Sequence, residues 1–223
     1  MRFKAEIYYQ YLYNVPIWPD DQTNDARLLT FSTLNTFDGY TSEELANDGT
    51  GRNYGLELTL EKFLSGGFYM LTTASLYKSL YTGADGVERS TQFDGGYIYN
   101  FLAGKEYQVG KNGNNSISIN GKLIYAGGKR QAPINEFQSV ISGQTQFRYE
   151  RNFELKLDDF FRIDIGISYR KNRPKTTSVI SLDIQNLTQR ENEFGRFYDF
   201  GARGIGSDTS LSFFPNLSYR LEF

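Results

Sequence analysis

The chain contains no cysteine and no histidine. The first absence removes disulfides, thiolate nucleophiles and Cys-ligated metals together. The second removes the commonest general base and the commonest metal ligand. We therefore expect no enzyme, no catalytic residue, no metal site and no cofactor. Charge of one sign is missing too: the net charge is −2, and no Lys/Arg run reads as a basic arm, so nucleic acid is not an expected partner. No stretch approaches the ~18 apolar residues of a membrane-crossing helix. Arg2, Lys4 and Glu6 fall where the apolar stretch of a signal peptide would have to build. An exported protein would then carry its export signal outside this chain.

Aromatic residues are abundant: 17 Tyr and 18 Phe, with 22 Gly, in a chain whose mean hydropathy is −0.51. Such a chain has to separate apolar from polar character residue by residue. It does so with a period of two. Phe3, Ala5, Ile7, Tyr9, Tyr11 and Tyr13 alternate with Arg2, Lys4, Glu6, Tyr8 and Gln10. Tyr54, Leu56, Leu58 and Leu60 alternate with Asn53, Gly55, Glu57 and Thr59. Phe161, Ile163, Ile165, Ile167 and Tyr169 oppose Arg162, Asp164, Gly166, Ser168 and Arg170. The same pattern marks runs from Phe68, Ile117, Ile180 and Leu211, with weaker candidates at 28–37 and 96–108. These are half-buried strands by the alternation test, about nine in all, and no amphipathic helix is expected.

The links between these runs alternate in length. Short ones fall at 64–67, 109–115 and 171–177, with a somewhat longer one at 14–27. Long polar ones fall at 38–52, 81–95, 127–160 and 187–208. In an up-and-down meander, alternate links share one end of the sheet. Tight turns at one end and long loops at the other are the habit of outer-membrane barrels. Tyr and Phe gather near the strand ends (Tyr8 to Tyr13, Tyr77, Tyr81, Tyr125, Phe160, Phe161, Tyr169, Tyr219), where interfacial girdles form. The last run, "FFPNLSYRLEF", places Leu217, Tyr219, Leu221 and Phe223 on one side, so its edge suits recognition by strand addition.

Four stretches then resemble a known family: "GTGRNYGLELTLEKFLSGGFYMLTTASLYKSLY" (49–81), "FLAGKEYQVGKNGNNSISINGKLIYAGGKRQAPI" (101–134), "SLDIQNLTQRENEFG" (181–195) and the terminal run. Together they resemble the C-terminal β-barrel portion of TonB-dependent outer-membrane receptors, in the variety with a carboxypeptidase-regulatory-like N-terminal domain. The resemblance implies an all-β, antiparallel transmembrane barrel segment over 1–223, part of a barrel of about 22 strands closed by a plug. The plug, the TonB box and the signal peptide would lie outside this chain. It implies energised uptake of a bulky ligand such as a siderophore or an oligosaccharide across the bacterial outer membrane. Implied partners are outer-membrane lipid and lipopolysaccharide, the barrel-assembly machinery reading Leu217, Tyr219, Leu221 and Phe223 as an insertion signal, and TonB through the plug. A lipoprotein lid over the loops is a further partner that the resemblance allows.

Ligand contacts, on this reading, belong on the long loops. The candidates are Tyr40, Arg130, Arg148, Arg151, Arg196, Phe197, Tyr198 and Arg203. Aromatic rings stack on sugar or aryl groups, and Arg forks suit carboxylate or phosphate. Other motifs carry less. "GKEYQVGKNGNNS" misses the phosphate-loop spacing and is read as a hairpin turn. "GARGIG" (201–206) lacks the strand and helix of a dinucleotide site and is read as a flexible loop. Asp158 and Asp159 adjoin, so on a strand they point to opposite faces and make a poor catalytic pair. Asp183 and Asn186 are read as strand-ending hydrogen-bonding residues. Two other readings stay open: a stand-alone small outer-membrane barrel with a structural or adhesin role, which an odd strand count disfavours, and a barrel-embedded hydrolase, which the missing histidine disfavours.

Overall fold

A computed structural model describes residues 1–19, 23–36, 44–111 and 113–223. In chain order its strands are β1 (Arg2–Ile17), β2 (Ala46–Ser65), β3 (Phe68–Thr82), β4 (Glu88–Ser90), β5 (Tyr97–Val109), β6 (Asn115–Ala126) and β7 (Arg130–Gln131). They continue with β8 (Leu155–Lys156), β9 (Phe160–Asn172), β10 (Thr177–Gln185), β11 (Glu193–Asp199), β12 (Gly204–Thr209) and β13 (Phe214–Glu222). One antiparallel sheet of nine strands dominates, in the order β1-β2-β3-β5-β6-β9-β10-β13, with β4 continuing the place of β5 beside the end of β3. The meander is as expected. The sheet does not close into a barrel: among the described residues β1 pairs only with β2, and β13 only with β10.

Three details of the sequence reading change. The run expected as a strand at 28–37 is not one over its described residues, 28–36. It holds α1 (Ala26–Leu29) and a 3₁₀ turn (Thr33–Asn35), because Asp25 and Ser32 accept from the Arg27 and Leu34 amides and start helical turns. The link expected at 14–27 starts later, since β1 runs on to Ile17 through register irregularities after Leu12 and Val15, with Asn14 at φ 55, and it becomes part of one long connection to β2. The expectation of no helix fails again at α2 (Glu136–Ser142), capped by Asn135 at its start and by Gly143, in the left-handed region, at its end. Seven residues are too few for the periodicity test to register.

With 28–37 removed as a strand, the connections sort cleanly. Residues 66–67, 110–114 and 173–176 make short turns on one edge, and 18–45, 83–96, 127–159 and 186–213 make long connections on the other. Ser65-Gly66-Gly67-Phe68 is a tight hairpin whose two glycines carry φ of 61 and 74, the left-handed geometry that matches strand twist. Arg2 and Glu222 both lie on the short-turn edge, paired with Glu61 and Thr177.

Register makes one face apolar across every long strand. Ala5 stands opposite Leu58, then Ala74, Tyr99, Tyr125 and Phe161. Ile119 stands opposite Ile167, then Leu182 and Leu217. Aromatic rings flank the aliphatics: β9 carries Phe161 and Tyr169 on either side of Ile163, Ile165 and Ile167. That stretch spans ~26 Å along the strand, comparable with the ~25 Å apolar band of a membrane barrel. Away from the loop edge, no element among the described residues packs on this face. Ile7 is 86% exposed, Leu76 60% and Leu217 71%. The buried residues lie mostly at the loop edge, among them Val15, Ile17, Tyr81, Ala132, Ile134, Leu157 and Tyr198. Among the described residues these leucines and isoleucines do not pack together into a dry centre.

Candidate functional site

The described parts of the four long connections fold over the loop edge into one layer, and polar side chains hold it. The Asp94 carboxylate is fully buried and accepts from Lys78 Nζ at 3.1 Å and Ser90 Oγ at 2.7 Å. The Arg130 guanidinium stands 3.7 Å from that carboxylate and donates to the Asp94 carbonyl at 2.9 Å. The Tyr81 hydroxyl donates to the Thr30 carbonyl at 2.9 Å, tying β3 to α1. Two amide side chains imitate strand backbone. The Gln131 amide accepts from the Arg196 N–H at 2.9 Å and donates to the Arg196 carbonyl at 3.3 Å. The Asn192 amide does the same to Phe161, at 2.8 and 3.0 Å, beyond the point where β10 stops pairing with β9. Buried backbone groups need partners, and these side chains supply them where no strand reaches.

The expected ligand-contacting residues separate within this layer. Tyr40 lies outside the described residues. Arg130, in β7, fastens connections together: besides Asp94 it donates to the Phe153 and Glu154 carbonyls at 3.4 and 3.3 Å. Arg151 pairs with Glu154 at 2.7 Å and Arg196 forks onto Glu193 at 2.8 and 3.0 Å. Phe197 packs over Gly206, and Tyr198 is buried against Phe200 with ring centres 5.0 Å apart. Arg148 and Arg203 are exposed, Arg203 at φ 54 in the turn between β11 and β12. The "GARGIG" stretch, read as a loop, makes the turn and the start of the second strand of the β11–β12 hairpin, with Asp199 accepting from the Gly201 and Ala202 amides. The terminal Leu217, Tyr219 and Leu221 share the apolar face of β13, the edge strand, and Phe223 follows it almost fully exposed.

Three carboxylates of the layer, Asp85, Asp159 and Glu193, are held below their ordinary range, Asp85 against the opposing effect of burial by its hydrogen bonds from Arg89 and the Val87 amide. The Arg196 guanidinium pushes the Glu193 carboxyl down to about 2, helped by the Ser207 hydroxyl and the Asp158 amide. The Tyr97 hydroxyl holds the Asp159 carboxyl below its ordinary range, with Tyr125 donating at 3.0 Å and Lys156 at 3.4 Å. Asp158 and Asp159 therefore serve separate partners. Asn186 ends β10 as expected: its amide donates to the Arg190 carbonyl at 2.8 Å and the Leu211 carbonyl at 3.2 Å.

Two cavities open in the layer. One, about 490 Å³, is lined by Arg89, Arg130, Glu150, Asn152, Phe153 and Glu154 among others. The other, about 400 Å³, lies between the last long connection and the polar face of the sheet, lined by Phe160, Arg162, Asn186, Phe194, Leu211 and Phe214. The first offers charges of both signs; the second offers aromatic faces beside one guanidinium, itself held by Asp164 at 2.9 Å. The sequence reading found Arg130 and missed the rest of both linings, because the connections bring together residues with no common spacing. Among the described residues no group of three or more Asp/Glu side chains could hold a metal ion. No family model, curated protein or solved structure matches the chain.

Proposed function

We propose that the chain is a stretch of the wall of a TonB-dependent receptor in the bacterial outer membrane, a transport protein and not an enzyme. The observation that carries this reading is the exposed apolar face, aromatic at both margins and continuous across all the long strands, under a sheet whose two edge strands each pair with one strand only among the described residues. In water, such a face is an aggregation hazard. Against acyl chains it is the stable arrangement, and the unpaired edges of β1 and β13 are where the remaining wall would join. The long-connection edge would face outward, toward lipopolysaccharide and a lid lipoprotein if one is used. Its two cavities, with the exposed Arg148 and Arg203 and with Tyr40, would meet a bulky ligand such as a siderophore or an oligosaccharide. The alternate side chains of β13 would be read by the assembly machinery, and TonB would act through a plug.

The chain has no cysteine, so single labels can be placed at will. Fluorophores at Ile167→Cys, on the apolar face, and Ser118→Cys, on the opposite one, are compared in lipid vesicles. Brominated acyl chains should quench the first, and aqueous iodide the second. Equal quenching of both by iodide overturns the reading. One observation favours the stand-alone small barrel: without β4, the long strands number eight, and even counts suit closed bacterial barrels. A compact, heat-modifiable monomer in detergent would select that alternative; failure to form one supports the larger wall.

A further inference from the structure

Towards the short-turn edge, the apolar face carries charge of one sign only. Followed through the strand registers, its charged residues are Arg52, Lys62, Lys78, Lys105 and Lys171, and no Asp or Glu with a register partner in the eight long strands shares it. The opposite face mixes signs, as in the Arg2–Glu61, Lys4–Glu6, Arg162–Asp164 and Arg170–Glu222 pairs. Since the whole chain has net charge −2, this bias belongs to the face and not to the composition.

Arg52 and Lys78 lie toward the loop edge of the strands, and Lys62, Lys105 and Lys171 toward the short-turn edge. At the loop margin, the connections neutralise them: Arg52 meets Glu88 at 2.5 Å and Lys78 meets Asp94 at 3.1 Å. At the short-turn margin, Lys62, Lys105 and Lys171 form no ion pair among the described residues. Lys62 Nζ lies 4.8 Å from the centre of the Phe68 ring. Lys105 is in cross-strand register with Phe68, and its Nζ lies 5.3 Å from the Tyr107 ring. The two lysines therefore flank Phe68 from the strands on either side. They are two strand spacings of ~4.8 Å apart, offset by two residues. Their stems lie along aromatic surface and leave the ammonium groups at the polar boundary, as amphipathic side chains do at a membrane interface.

We propose that Lys62 and Lys105, astride Phe68, with Lys171 on the same margin, bind the phosphates of anionic phospholipid on the short-turn side of the membrane. The inference rests on the reading of the apolar face as lipid-facing. The loop margin, already neutralised by its own carboxylates, has no such preference.

The test is co-sedimentation of the full chain with vesicles of phosphatidylcholine, with and without phosphatidylglycerol. Each interfacial lysine near an anionic surface strengthens binding about five-fold. The Lys62→Gln/Lys105→Gln variant should lose about 25-fold in binding to the phosphatidylglycerol vesicles, and nothing to phosphatidylcholine alone. Lys4→Gln/Arg220→Gln removes the same charge from the opposite face and should change neither. Equal losses from the two double variants would show simple net-charge attraction and overturn the site. Inorganic phosphate abolishing the preference, where chloride of matched ionic strength does not, would make it a free-phosphate site and overturn the lipid assignment. Binding to phosphatidylcholine with no gain from phosphatidylglycerol overturns this inference alone, while binding to neither vesicle overturns the lipid-facing reading as well.

Discussion

Asn192 offers a sharp test of how the loop layer is joined to the sheet. It is buried, and its side-chain amide pairs with both backbone groups of Phe161, taking the place of the strand residue that β10 does not supply. Replacing it with alanine leaves one N–H and one carbonyl without partners at the edge of the layer. An unsatisfied buried polar group costs about 1–3 kcal/mol, and partial access of water puts the pair near ~3 kcal/mol. Exchange of the Phe161 amide should then speed up by ~150-fold, since ~1.4 kcal/mol is a factor of ten. The variant Asn192→Asp keeps the acceptor for the Phe161 N–H and loses only the donor, so this amide should stay protected. Hydrogen exchange resolved at Phe161, with the Ile180 amide as an internal reference, is the assay. A change below ~3-fold at Phe161 would refute the claim that the side chain substitutes for a strand. So would an equal change at Ile180, which would signal loss of the whole sheet.

Glu193 should confer a pH dependence on the β11–β12 hairpin. Its folded carboxyl titrates at about 2 against an ordinary 4.5, so its contribution is complete above pH ~4.5 and lost as pH falls toward ~2. Solvent screening of the Arg196 pair reduces that contribution to roughly 1 kcal/mol. Denaturant midpoints measured between pH 6 and pH 2.5 should fall in the native chain and stay flatter in Glu193→Gln. Gly127 tests close approach: a Cβ there would lie 1.9 Å from the Gly95 carbonyl oxygen, so Gly127→Ala should lower stability by about 2–3 kcal/mol. Gly204, with nothing within 4 Å of its Cβ position, should accept alanine within ~0.5 kcal/mol in the same denaturation assay.

The strands were legible because their side chains alternate with the pleat. Ile163, Ile165 and Ile167 must share a face wherever β9 ends up, and Arg162 and Asp164 must share the other. The end-to-end asymmetry of the connections was legible for a similar reason, since in a meander it depends on chain order alone. The failures came where side chains bond to nearby backbone. Asp25 and Ser32 turn an alternating run at 28–37 into helical turns, and Asn135 with Gly143 makes a helix too short to show a period. The candidate arginines were visible as residue types, but not what they do: Arg130, Arg151 and Arg196 are held by groups from Asp94, Glu154 and Glu193.

The sequence by itself determined which residues share a face, that one face is apolar and ringed by Tyr and Phe, and that all the long connections leave from one edge. These properties follow from a period of two and from chain order, both local. The tertiary structure decided the register that lines the strands' faces into one surface, and so gathered Lys62, Lys105 and Lys171 without an ion-pair partner among the described residues at one end of its apolar side. It also decided that the sheet stays unclosed, and that Asn192 and Gln131 complete ladders begun about 30 and 65 residues away. Pairing between distant strands and burial under folded-over loops depend on which surfaces meet, and no window along the chain contains both partners.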